Sequence, residues 1–205
     1  MKVQSVLDLK PDLVVANREE NDRSQVKRLQ EILGHDSVLV TDVRTVRAAL
    51  EAIGTLGERV GRSKEADNLV SRIEETWGDP RTHSGSAGYA VWSKPWMVAG
   101  GDTYIHDVMN HWGITNAFPQ KTGDARYPTV GREPREGVLT AQTWLLPSEP
   151  FPFAQKHLEA LKATHPNKRF ALVDGEAFSW YGSRMLHAAS HLRSVATWVG
   201  NPEAI

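Results

Sequence analysis

Along the chain, apolar positions alternate between two spacings. The clearest run is Ser63 to Trp77, SKEADNLVSRIEETW, where Ala66, Leu69, Val70, Ile73 and Trp77 recur at three- and four-residue steps among charged residues. That period predicts an amphipathic helix. Ser63 is placed to cap its start, and Gly78-Asp79-Pro80 to end it. Helical spacing also predicts helices over Gln25 to Leu33, Thr45 to Val60, Thr103 to Trp112, Pro152 to Ala163 and Tyr181 to Val199. Gly54 and Gly57 interrupt the second of these and suggest close packing against a neighbour.

Between the helices lie short apolar runs bounded by turn residues: Leu13 to Ala16, Val38 to Val40, Tyr89 to Trp92, Thr143 to Leu146 and Phe170 to Val173. Such runs fit buried parallel strands. The pattern is α/β on both sides of the Ser63 to Trp77 helix, with two strands before it and a richer set after the polar segment RTHSGSAG. One helix therefore joins two α/β units, with expected divisions at 1–62, 63–78 and 79–205.

Composition narrows the function classes. The chain has 205 residues with a formal net charge of -1, and its basic residues are dispersed, which speaks against a nucleic-acid partner or an anionic membrane surface. It has no cysteine, which excludes disulfides and thiolate chemistry. No apolar run has the length of a membrane span, and MKVQSVLDLKPDL lacks the features of an export signal.

Candidate chemistry gathers in three segments that follow strands: Trp92 to Trp96, Ser148 to Phe153 and Asp174 to Tyr181. In a parallel sheet these open at one edge, where they form a wall of flat aromatic faces with a few polar groups. Such a wall suits a large, flat, partly polar ligand. His187 and His191 stand four apart on the last helix, but no HExxH-type carboxylate accompanies them, and no metal site is assigned. SGSAG, Ser84 to Gly88, lacks the first glycine of a nucleophile elbow and precedes a strand. Gly100 to Thr103 fits either an anion-holding helix start or a tight turn with an N-cap. Neither a P-loop nor a GxGxxG helix start is present.

The strings LKPDLVVANREEN, TVRAALEAIGTLGERVGRSKEA, WSKPWMVAGGDTYIHDVMNHWGITNAF, ARYPTV, LLPSEPFPF and VDGEAFSWYGSRM, in that order, resemble the ABC-importer binding proteins with a helical backbone, the group of periplasmic cobalamin and ferric-siderophore binders. The resemblance implies two Rossmann-like lobes bridged by one long helix, the class III periplasmic-binding-protein arrangement. It also implies capture of a corrinoid, ferric siderophore or haem without catalysis, no cofactor, delivery to a membrane permease and a periplasmic location. Carried over by position, Asn17, Glu19 and Glu20 form the lip of the first lobe, and Trp92, Trp96, Arg126, Tyr127, Glu149, Phe151, Phe178, Trp180 and Tyr181 line the second. Asn17 stands where the similar cobalamin binder has an aromatic residue. Glu19, Glu20 or Asp22 are the permease-docking candidates, since Arg23 has the wrong sign for that role. Relative to the family, the first lobe is expected to be incomplete, through N-terminal truncation or with completion by a homodimer. The rival readings are a cytoplasmic α/β enzyme using Glu149, Asp174 or Glu176 as acid or base, and a ligand-free interaction domain.

Overall fold

A computed structural model describes residues 2–120, 126–134 and 139–201. The first part runs α1 (Val3–Leu7), β1 (Val14–Asn17), α2 (Arg23–Leu33) and β2 (Val38–Thr41). β1 and β2 pair in parallel, with Val14 beside Val38 and Asn17 beside Thr41. Val14, Ala16, Val26, Leu29 and Val38 make a small core between this sheet and α2. Asp22 caps α2, its carboxylate accepting from the Gln25 amide.

Two helices follow, α3 (Val46–Arg59) and α4 (Ser63–Trp77). α4 spans the run that the period predicts. Ser63 is its first helical residue rather than its cap; Arg62 occupies the cap position without a side-chain bond. Gly78 ends it at φ 65°, a left-handed conformation that favours glycine. α3 packs along α4. A Cβ on Gly57 would sit 2.3 Å from the Ala66 Cβ, whereas a Cβ on Gly54 would meet nothing within 4 Å. The close packing expected of both glycines belongs to Gly57 alone.

The larger sheet comprises β3 (Gly85–Trp92), β4 (Trp96–Val98), β5 (Ile114–Asn116), β6 (Thr129–Gly131), β7 (Thr143–Pro147) and β8 (Arg169–Val173). Its order is β6-β4-β3-β7-β8, with β5 also pairing β3. β3, β7 and β8 are parallel, so their carboxyl ends open at one edge. Helices α5 (Tyr104–His111), α6 (Gln155–Thr164), α7 (Gly175–Ser179) and α8 (Met185–Gly200) complete the chain. β3 begins inside the segment read as polar, because Gly85 and Gly88 lack side chains where Val199 and Trp144 press on the strand. The final helix begins at Met185, not Tyr181, since the Gly182 turn at φ 87° intervenes.

One continuous core joins α3, α4, α5, α7 and α8 to the sheet, including Ala49, Ile73, Trp77, Val108, Phe178 and Leu192. Trp77 donates its indole N–H to the Met185 carbonyl at 2.8 Å and meets Trp112 edge to face at 5.7 Å. On the opposite side, Trp96 is fully buried between Trp144 and Phe153, with ring centroids 5.6 Å from each. Among the described residues no helix is long and apolar enough to cross a membrane.

The two glycines of α3 make opposite predictions. Gly54→Ala should stabilise the protein by about 0.5–1 kcal/mol, through reduced backbone freedom in the unfolded chain at an open helical position. Gly57→Ala should lower stability instead, since its methyl group meets Ala66. Urea unfolding of the two variants checks both signs.

Candidate functional site

The open edge of the larger sheet meets the segment after β1 around a cavity of about 780 Å³. From the first part, Asn17, Glu19 and Glu20 reach its rim. Val91, Met97 and Ile105 make its apolar floor, and Trp92, Tyr127, Glu149, Pro150, Ser179, Trp180 and Tyr181 its wall. The three segments singled out after the strands thus do converge. Trp92 is 42% exposed and Trp180 54%, so each offers a flat indole face.

Asn17 organises the rim. Its side-chain oxygen accepts from the Glu19 amide at 2.8 Å and the Glu20 amide at 3.3 Å, a local turn that projects both carboxylates. Its side-chain nitrogen donates to the Tyr181 hydroxyl at 2.9 Å, directly linking the end of β1 to the opposite wall. Asn17 therefore does structural work where the sequence alone offers only a polar lip.

The wall is equally fixed. Glu149 Oε1 accepts from the Ser179 hydroxyl at 3.0 Å and from the Trp180 indole N–H, which sets the plane of that ring. Gly175 makes room for this loop, since a Cβ there would lie 2.8 Å from the Glu149 backbone nitrogen. Trp92 donates its indole N–H to the Lys94 carbonyl at 3.0 Å and leans on Phe151 at 5.5 Å.

Beside the cavity, charges from both parts of the chain interlock. Arg126, 16% exposed, pairs with Glu19, lies 3.5 Å from Asp42 and 3.9 Å from Asp102. Arg44 bridges Asp42 at 2.8 Å and Asp102 at 2.7 Å, and Arg18 adds a contact to Asp42 at 2.9 Å. The hydrogen bond from Arg44, with further help from the nearby guanidinium groups, holds the Asp42 carboxyl below the usual range. Tyr127 donates to Glu19 at 3.4 Å, and burial first, then the Glu19 charge, keeps its phenol protonated.

Four residues expected to line the ligand site stand elsewhere. Trp96 and Phe178 are fully buried, because strand β4 and helix α7 turn them into the two cores. Phe151 meets Trp92 edge to face, and Arg126 belongs to the ion cluster rather than to the cavity wall. Val91, Met97 and Ile105 line the cavity from outside the three segments, and Pro150 and Ser179 from within them without having been assigned to the ligand; alternation along β3, with Tyr89 inward and Val91 two residues on, is the signal that marks Val91.

The remaining candidates resolve locally. Asp174 caps α7 and pairs with Arg184 at 2.8 Å, and Glu176 meets the same guanidinium at 3.0 Å. Thr103 caps α5, accepting from the His106 amide at 3.1 Å, so Gly100 to Thr103 is a tight turn. His191 accepts from the Asp174 amide at 3.0 Å, while His187 is exposed. Among the described residues no group of three or more His, Asp or Glu side chains is arranged to hold a metal ion.

This arrangement, a cleft between a small α/β unit and a larger one joined through helices, is that of the class III periplasmic binding proteins. The chain belongs to the periplasmic binding protein family, whose model matches residues 1–134. A relative, the uncharacterized ABC transporter substrate-binding lipoprotein YvrC of Bacillus subtilis (strain 168), is 27% identical over 134 residues, covering 60% of this chain and 42% of its own length. The chain thus spans less than half of that relative. Among solved structures, a possible iron-binding periplasmic solute-binding protein from Staphylococcus epidermidis superposes with TM-score 0.70 at 20% identity, covering 95% of this chain and 79% of its own. The periplasmic vitamin B12 binding protein BtuF of Vibrio cholerae gives 0.69 at 15% identity, with 97% and 79% covered. The periplasmic heme-binding protein RhuT from Roseiflexus sp. RS-1 gives 0.71 at 16%, with 98% and 80% covered. At these identities the likeness is one of fold.

Two measurements follow from the site. Arg126→Ala leaves Glu19 without its cation, and Asp42 and Asp102 with Arg44 and Arg18 alone, and should cost about 1–3 kcal/mol of stability in urea unfolding, less at high salt. Arg126→Lys should recover only part of this, as a single ammonium lacks the fork that reaches all three. Separately, burial lowers the pKa of His111 and His191, with nearby Asp107 and Asp174 opposing the shift. Below the ordinary imidazole value near 6.5 the unfolded chain takes up protons that the folded chain refuses, so stability is full above about 6.5 and falls as pH drops through the lowered native values. The Tm should drop by roughly 2–5 °C between pH 7.5 and 5.5. His191→Gln, which retains an acceptor for the Asp174 amide, should flatten that profile.

Proposed function

We propose that this chain is the ligand-capturing component of an ABC importer, holding a corrinoid or another metal chelate such as a ferric siderophore or haem in the cavity and passing it to a membrane permease without turnover. The observation that carries the reading is the cavity itself: about 780 Å³, walled by the half-exposed indoles of Trp92 and Trp180 and spanned by the Asn17–Tyr181 hydrogen bond. Rigid aromatic faces lose little entropy when a flat ligand stacks on them. The periplasmic family supports an extracytoplasmic site of action.

On this reading residues 1–62 and 79–205 act as two lobes, with 63–78 as the bridging helix. Exposed Glu20 and Asp22 are the acids available to meet a permease, whereas Glu19 is already engaged by Arg126. A homodimer through the smaller sheet is part of the same reading, favoured by Val15, which remains 51% exposed on that sheet.

A tryptophan-fluorescence titration with cyanocobalamin, a ferric hydroxamate and haemin, corrected for ligand absorbance, tests the proposal. Saturable quenching by one ligand, weakened at least about tenfold in Trp180→Ala, is the expected result. Silence with all three would remove the chelate-binding reading.

A further inference from the structure

Resting on the chelate-binding reading above, we propose that the cavity selects a chelate of net positive charge whose periphery donates hydrogen bonds, and discriminates against chelates with peripheral carboxylates. Among the described residues, those lining the cavity include Glu19, Glu20 and Glu149 and no lysine, arginine or histidine. Glu149 directs its Oε1 toward Ser179 and Trp180, both neutral donors, and among the described residues no cation pairs with it. Glu20 stands on the exposed lip next to the cavity.

Among the described residues, the two partly buried guanidinium groups beside the cavity already have carboxylate partners. Arg126 is held among Glu19, Asp42 and Asp102, and Arg44 lies between Asp42 and Asp102, whereas Lys94 meets Glu133 at 3.6 Å on the exposed surface. Recruiting Arg126 to an anionic ligand would take from Glu19 its cation and from Asp42 and Asp102 one of theirs, leaving Arg44 and Arg18 to hold those two, a cost that opposes binding. A cationic ligand meets the opposite situation. It gains attraction from Glu20 and Glu149 and cation–π contact with the open indole faces, and it leaves the ion cluster intact. Peripheral amide or ammonium N–H groups find acceptors in the same carboxylates.

The test compares matched ligands of opposite charge in three frames, by fluorescence titration at low salt. The pairs are diaquacobinamide against a corrin bearing free peripheral carboxylates, ferrioxamine B against a ferric tris-catecholate, and the bis(aminoethyl)amide of haemin against haemin. In whichever frame binds, the cationic member is expected to bind at least about tenfold more tightly, the equivalent of one charge pair near a surface. The preference should shrink at 0.5 M salt and in Glu20→Gln and Glu149→Gln. Equal or tighter binding of the anionic member would overturn the charge selection while leaving the chelate-binding reading standing. Silence of all six ligands would overturn both.

Discussion

Everything at the cavity depends on three parallel strands ending at the same edge. β3, β7 and β8 run side by side in register, and each delivers one wall segment: Trp92 from the first, Glu149 from the second, and Ser179 to Tyr181 from beyond the third. The strands hold that alignment because the core beneath them closes on large rings. Trp96, Trp144 and Phe153 interlock on one face, and Tyr89 and Phe178 on the other. The indole of Trp77, bonded to the Met185 carbonyl, ties α4 into the same core through α8. Loops rooted in such a core can present aromatic faces without the entropy loss of ordering them on binding.

The smaller sheet relies on different forces. Its own core is a handful of aliphatic side chains, and its attachment to the wall is polar: the Asn17–Tyr181 hydrogen bond and the carboxylates gathered by Arg44 and Arg126. Apolar burial is non-directional, whereas these contacts exist at one relative position only. The position of the rim over the cavity is thus specified by geometry, at a strength that salt reduces.

Periodicity carried the elements well where it was long and clean. α4 spans the run its period predicts, with only the cap displaced from Ser63 to Arg62, and every strand predicted from an apolar run is present, although β3 is longer than its apolar half. Small residues hid the rest: Gly85 to Gly88 looks polar in isolation and becomes strand only because Val199 and Trp144 lie against it. The three-residue strands β5 and β6 and the single turn of α7 are too short to show a period. At the site, the convergence of three segments was legible, since it follows from parallel topology. Which aromatic faced outward was not. Trp96 and Trp92 flank one tight turn, and a one-residue shift in register there decides between core and cavity.

Charge was the least legible property and the most informative. A net of -1 over the whole chain conceals a local imbalance, because arginine and carboxylate partners lie far apart in sequence: Arg44 with Asp102, Arg126 with Glu19. From sequence alone, Arg126 reads as a ligand-facing cation. Folding engages it in the contact between the two units, and among the described residues the charged groups that line the cavity are the carboxylates of the rim and wall. Glu19 and Asn17 take part in both, lining the cavity while holding the rim to the opposite wall. Any ligand that competes for those two residues therefore acts on the contact between the units as well as on the cavity, which couples occupancy to the relation of the two units through shared atoms rather than through a distant relay.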